Sequence, residues 1–365
     1  MAKSNASDRQ AMMQKEKILV TGGAGFIGSH FVDAALAAGY SVLTVDKLDY
    51  CGNLLNLEKA LQNKSHKFLQ ADVADADAML EAIKSFKPNA IVHLAAQTHV
   101  DRSIDDPSVF IENNVTATQK LLEVARTYWK AMRGARKESF RFIYVSTDEV
   151  YGSLQANDPP FALTSRYRPS SPYAASKAAG EMIALSYWRT FGFPVIVEHA
   201  CNNYGPRQFP EKLIPLMIDR ARSGLTLPLY GNGENIREWM YVTDHAAALL
   251  QIVKKGRAGA TYNIGTGEEV PNIKLIRALC TLMDSACPGL LPHEEAITFV
   301  SDRPGHDFRY AMDSVDSERE LGFAPKVRLI EGLHRTLQWY LENDAWLDSV
   351  KSGVYPDWVK RYGKL

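Results

Sequence analysis

Short apolar runs alternate with amphipathic stretches along the first half of the chain. Residues 17–21 form an apolar run that ends in a glycine cluster, and residues 29–38 carry apolar positions at helical spacing before Gly39. The first pattern predicts a strand and the second a helix. Apolar runs at 41–46, 66–70, 90–94, 140–146 and 194–199 predict further strands, with helical patterns at 76–86, 109–129 and 173–191 between them. Alternation of this kind implies an α/β chain with a doubly wound parallel sheet.

From about residue 202 the texture changes. Pro- and Gly-punctuated pieces follow one another, among them Tyr204-Gly205-Pro206, Phe209-Pro210 and Tyr230-Gly231-Asn232-Gly233. Such segments suit the wall of a binding site better than an extension of a sheet. Residues 240–242 and 261–264 read as strands returning to the first lobe, which makes the second lobe a smaller, discontinuous α/β unit. The expected layout is a flexible tail at 1–14, a nucleotide-binding lobe at 15–201 with returning segments at about 239–265, and a mainly substrate-binding lobe at 202–365. A length of 365 residues suits two closely joined lobes.

Composition narrows the partners. Lys+Arg and Asp+Glu both total 42, so no global field recruits nucleic acid or an anionic membrane. A small polar substrate is favoured. Cys51, Cys201, Cys280 and Cys287 are scattered without metal-ligand spacing, which predicts free thiols in a reducing cytoplasm and no metal. No apolar run approaches the length of a membrane span, and the polar N-terminus lacks the apolar stretch of a signal peptide.

Thr21-Gly22-Gly23-Ala24-Gly25-Phe26-Ile27-Gly28 follows the first strand and opens a helix. Gly22 permits a tight turn, Gly25 lets backbone approach a pyrophosphate, and Gly28 allows close helix–strand packing, while the helix N-terminus faces the phosphates. The sheet is therefore expected to be Rossmann-like. Asp46 ends the second strand, where a carboxylate accepts ribose hydroxyls and repels a 2′-phosphate, so NAD is favoured over NADP. Asp72 and Val73 are placed to flank the adenine, and Leu94, Ala95 and Ala96 offer small side chains beside the cofactor.

Val145-Ser146-Thr147-Asp148-Glu149-Val150-Tyr151-Gly152 puts two carboxylates at a strand end, and Tyr173-Ala174-Ala175-Ser176-Lys177 lies downstream. Tyr173 and Lys177 share one helix face. An adjacent ammonium favours the phenolate, so Tyr173 is expected to take a proton from a sugar hydroxyl as hydride leaves. Thr147 shares the hydrogen bonding. Asp148 and Glu149 go beyond what a plain alcohol dehydrogenase needs: once a ring carbon is oxidised, a carboxylate can remove the acidified neighbouring proton and a carboxylic acid can release water. Two neighbouring carboxyls in a dry pocket do not both ionise readily, and Asp148 is assigned as acid, Glu149 as base.

With these residues assembled, the chain resembles the extended short-chain dehydrogenase/reductases, most closely the dTDP-glucose 4,6-dehydratase family, from about residue 17 to 340. Thr-Asp-Glu at the strand end discriminates it from related epimerases and decarboxylases. The resemblance implies NAD lined by Phe26, Ile27, Asp46, Lys47, Leu48, Asp49, Asp72, Val73, Leu94, Ala95, Ala96, Gln97, Thr98, Asn113 and Asn203. It implies a nucleotide sugar touched by Thr98, Thr147, Asn202, Lys212, Leu213, Asn272, Asp302 and His306, a base pocket from Pro228, Leu229 and Tyr230, and Arg237 paired with the diphosphate. Three positions depart from the common pattern: Gln97 for glutamate, Asn113 for threonine and Arg207 for an aromatic. The implied reaction is NAD-dependent C4 oxidation of an NDP-hexose, most simply dTDP-glucose, then water elimination across C5 and C6 and hydride return to C6. Alternatives are the same reaction on a UDP or other NDP sugar, an NDP-sugar 4-epimerase, and a non-catalytic NAD-sensing regulator. A homodimer is expected from the resemblance and from the long helices at 109–129 and 173–191.

Overall fold

Strands buried at nearly every position, because both of their faces are covered, produce the central layer of the protein. The structure, a computed structural model, describes residues 16–289 and 291–352; the tail expected at 1–14 lies outside the described residues. Strands β1 (Lys17–Thr21), β2 (Ser41–Asp46), β3 (His66–Gln70), β4 (Ala90–His93), β5 (Arg141–Thr147) and β6 (Val195–Ala200) pair in parallel, in the order β3-β2-β1-β4-β5-β6. Thr261–Ile264 extends the far edge beside β6. On β1, Ile18 and Val20 face one apolar layer and Leu19 the other, as a sheet covered on both sides requires.

Helices Phe26–Ala37 and Val242–Lys255 pack together on one face, over Ile18, Val42, Val92 and Ile196. Helices Ala76–Phe86, Ala117–Ala131 and Pro172–Phe191 cover the other, over Leu19, Ile91, Phe142 and Val197. Strand order reverses between β1 and β4, and the crevice outside the carboxyl ends of such a pair is where doubly wound sheets bind ligands.

A second apolar cluster lies beyond β6. Helices Leu213–Arg222, Asn272–Ala286, Leu329–Glu342 and Asp344–Ser352 bury Ile214, Met217, Leu275, Leu333, Tyr340 and Trp346 against a three-stranded sheet of Glu269–Pro271, Ile236–Tyr241 and Asn202–Tyr204. Leu227–Tyr230 and Ile297–Val300 form a separate parallel pair. Here the strand expected at 240–242 needs correction. Met240 and Tyr241 end a strand of the small sheet, and Val242 begins the helix that returns to the large one. Only 261–264 returns as a strand, because the apolar run around Met240 serves two elements at once.

Two local features position the site. The helix expected at 109–129 contains a π turn at Ile111–Thr116, which frees Asn114 to accept from Gln97 N (2.8 Å) and to donate to Gln97 O (3.0 Å) and Ser176 Oγ (2.9 Å). The helix Asp344–Ser352 is tied to the glycine turn: Trp346 Nε1 donates to Asn56 Oδ1 (2.7 Å), whose amide donates to Ala24 O (2.8 Å).

Candidate active site

The glycine turn leaves room for a phosphate because side chains are excluded from it. Gly22 has φ +70°, and a Cβ there would lie 2.6 Å from Ala95 N. A Cβ on Gly28 would lie 2.2 Å from Gly22 O. The helix that follows, Phe26–Ala37, has neither a capping side chain nor an acidic residue in its first turn. Its unpaired N–H groups face the crevice and suit an anion. Asp46 holds the loop in place, with Oδ2 accepting from Ala24 N and Oδ1 from Leu48 N, both at 2.9 Å, and burial pushes its carboxyl up. One lone pair on each oxygen remains for a ligand hydroxyl.

A cleft of about 290 Å³ runs from this turn to the end of β5. Gly22, Gly25, Phe26, Ile27, Gly28, Asp46, Lys47, Asp49, Asp72, Val73, Leu94, Ala95, Ala96, Thr98, Asn113 and Asn203 line it, as do Thr147, Asp148, Glu149, Tyr173, Lys177, Asn202 and Lys212. Lys47 Nζ donates to Asn113 Oδ1 (2.6 Å) and sits 3.4 Å from Asp72 and 3.5 Å from Asp49. Asn202 Oδ1 and Asn203 Oδ1 are buried without a hydrogen-bond partner, the state expected of acceptors that await a ligand. The donors, the open helix end and the bare turn fit a dinucleotide.

The chemical groups converge where β5 stops. Thr147 caps the following 3₁₀ turn by accepting from Glu149 N (3.4 Å), which holds its hydroxyl between Asp148 Oδ1 (3.3 Å) and the Tyr173 hydroxyl. Asp148 is 2 % exposed and its Oδ2 has no partner. Burial, then Glu149 and Glu238, push its carboxyl well above the usual range. Glu149 is also pushed up by burial, but the positive charges of Arg303, Lys212 and Arg237 oppose the shift. Environment therefore separates the pair: burial and neighbouring carboxylates favour the protonated form of Asp148, and three cations favour the ionised form of Glu149.

Two expectations change here. Lys177 Nζ donates to Val145 O (2.6 Å) and lies 4.4 Å from the Tyr144 ring centre, and burial lowers its ammonium to about 8. Tyr173 is pushed up rather than down, by burial and by the Glu149 charge, with the Thr147 hydrogen bond opposing. A dry, negatively charged site outweighs the ammonium on the next helical turn. Leu48, Leu213, Pro228, Leu229, Tyr230, Arg237, Asn272, Asp302 and His306 do not line the cleft. Leu48 adopts φ +58° and serves through its backbone. Leu229 and Leu213 pack in the second apolar cluster, and Pro228 lies buried beside Leu229 in the strand Leu227–Tyr230. Asn272 Oδ1 is buried and unpartnered. Tyr230 donates to Asp101 (3.3 Å) and meets His306 edge-on at 5.9 Å, while His306 Nδ1 contacts Asp302 at 2.5 Å. Arg237 is spoken for: it donates to the carbonyls of Ile236, Asp307 and Phe308 and lies 4.2 Å over Tyr310. It reaches the site through its charge on Asp148 and Glu149.

Comparison with known proteins closes the argument about kinship. A family model described as GDP-mannose 4,6 dehydratase matches residues 19–336. The dTDP-glucose 4,6-dehydratase of Shigella flexneri is 48% identical over 354 residues, 94% of this chain and 98% of that protein. The chain belongs to the dTDP-glucose 4,6-dehydratase family. DesIV of Streptomyces venezuelae, a dTDP-glucose 4,6-dehydratase crystallised with NAD, shares 43% identity and a TM-score of 0.83, covering 92% of this chain and all of its own. A UDP-glucose 4-epimerase from Thermotoga maritima, at 31% identity, still reaches a TM-score of 0.78 over 89% of this chain and 99% of that one. The architecture is thus shared by dehydratases and epimerases, and the end of β5 is where dehydratase chemistry has to be sought.

Against that background, some residues that shape this dehydratase-family site had no assignment from sequence. Arg303 follows Asp302 directly in the chain but acts from a distance in sequence, steadied by Asp101 at 3.4 Å. Asn114 depends on a π turn that no helical period announces. Cys51, Gln208 and Glu211 also line the cleft, with Glu211 accepting from the Tyr50 hydroxyl at 3.0 Å. Cys201 and Cys280 are buried and Cys51 and Cys287 half-buried, all four as free thiols.

Proposed function

We propose that this chain removes water from dTDP-glucose to give the 4-keto-6-deoxy sugar, with NAD held in the cleft. The observation that carries the reading is the buried Asp148–Glu149 pair beside Thr147 and Tyr173. Names of the relatives and the 43% identity to a dehydratase crystallised with NAD support the choice of substrate and cofactor. Gly22, Gly25 and Gly28 would take the pyrophosphate, Asp46 the adenosine ribose, and Lys177 the nicotinamide ribose. When bound, NAD supplies a hydride acceptor at C4 and a hydride donor at C6, and its positive ring stabilises the Tyr173 phenolate.

Tyr173 takes the C4 hydroxyl proton, and the Thr147 hydroxyl steadies the oxygen it leaves behind. Glu149 then removes the proton from C5. Asp148, kept protonated by burial and by its neighbour, hands its proton to the departing C6 hydroxyl. Arg303 and Lys212 keep Glu149 able to ionise in a dry site. Incubation of the protein with dTDP-glucose is expected to yield the 4-keto-6-deoxy product without accumulation of NADH. Steady NADH build-up with no loss of water would refute it, and a panel of dTDP, UDP, CDP and GDP sugars ranks the base.

The working form is read as a cytoplasmic homodimer. Ile111 is 48% exposed and Met182 57% exposed on two helices that pack against each other, which places apolar surface where a two-fold partner would cover it.

A further inference from the structure

Two buried carboxylates approach Lys177 from opposite faces of the sheet, and neither has a place in the steps above. Glu181 lies one turn beyond Lys177 on the same helix and is wholly buried. It accepts from Ser146 Oγ (2.9 Å), from the Tyr167 hydroxyl and from His199 Nε2 (2.9 Å). His199 in turn contacts the Tyr151 hydroxyl and Asn263 Oδ1, both at 3.0 Å. Glu198, next along β6 and facing the other way, lies 3.2 Å from His245 on helix Val242–Lys255, with both side chains fully buried. The register links all of this to the site. Glu198 stands beside Val145, whose carbonyl receives the Lys177 ammonium, and His199 stands beside Ser146.

We infer that Glu181 and Glu198 are positioning residues that keep Lys177 an ammonium and aim it along the end of β5. An unbalanced ammonium in so dry a place would shed its proton. Glu181 and Glu198 are the two charges that oppose this, against the burial that draws Lys177 down to about 8. Tyr173 stands one turn before Lys177 on the same helix, and the other groups facing Lys177 are the Tyr144 ring from β5 and His93 from β4; burial, then the Lys177 charge, push the His93 imidazole down to about 3. Glu181 is lowered and His199 raised, so that pair contributes an ion pair rather than two neutral groups.

The inference rests on the reading of Lys177 as a cofactor-facing group, and the test separates the two. Glu181→Gln and Glu198→Gln keep shape and remove one charge each. Activity on dTDP-glucose, and calorimetric NAD affinity of the full chain, are measured from about pH 6 to about pH 9. Both need the ammonium, so both fall as pH rises past its pKa. Each variant is expected to move that alkaline limb down by about one pH unit, and the double variant further. Tyr167→Phe removes a hydroxyl but no charge, and its limb stays in place. If Glu181→Gln does not fold, as judged by its melting curve, Glu198→Gln carries the test alone. An alkaline limb unmoved in a folded variant overturns the inference. A limb that moves in NAD binding while wild-type protein leaves dTDP-glucose untouched overturns the proposed substrate and leaves the inference standing.

Discussion

Asp148 and Glu149 are adjacent in sequence and nearly equal in intrinsic acidity, yet they face different surroundings. Asp148 points into a space where its Oδ2 meets no donor, and Glu149 faces three cations. Asp148→Asn removes the proton to be donated while keeping the volume, so dehydration should fall by about 10²–10⁴-fold. Oxidation at C4 should survive, seen as a burst of NADH absorbance on mixing with substrate. Arg303→Gln withdraws a charge that lowers the Glu149 carboxyl. Glu149 must be ionised to act, so activity is lost as pH falls through its pKa, and the acid limb of kcat should shift to higher pH in the variant. An unmoved acid limb would show that Glu149 is not the base.

At the scale of elements, the sequence pattern was most legible where burial has a simple period. The strands of the large sheet, the glycine turn and the helix carrying Tyr173 and Lys177 lie where the apolar spacing puts them. Legibility failed where one run serves two elements, as at Met240 to Val242, and where helical geometry departs from its usual period, as at Asn114. It also failed for electrostatics. Lys177 was expected to favour the Tyr173 phenolate, but the balance depends on burial and on Glu149, which converge only in three dimensions. The packing of Phe26–Ala37 onto β1 makes a sharper prediction. With a Cβ only 2.2 Å from Gly22 O, Gly28→Ala must push the helix away from the turn. NAD affinity, measured by calorimetry, should fall at least about tenfold, whereas Gly39→Ala, where a Cβ meets nothing, should leave it unchanged apart from the local strain of φ +90°.

For the whole molecule, the question is what joins the two apolar clusters into one working cleft. One set of side chains comes from the sheet ends and another, including Asn202, Asn203 and Lys212, from the chain beyond β6. The proposed dimer concerns the exposed face of Ile111–Thr116 and Pro172–Phe191, whose inward residues Asn113, Tyr173 and Lys177 line the cleft, so Met182→Glu should yield monomers by sedimentation while the isolated subunit keeps its nucleotide cleft. Among the described residues no helix is long and apolar enough to cross a membrane.

The indole of Trp346, joined through Asn56 to the carbonyl of Ala24, brings the far end of the described chain to its beginning. A ribosome has released the glycine turn long before it makes Trp346, so a nascent chain has the phosphate loop without its brace. Trp346→Phe, which keeps the aromatic bulk and loses the N–H, should therefore speed the escape of bound nucleotide more than it lowers the melting temperature, a contrast that dilution kinetics and a thermal scan can resolve.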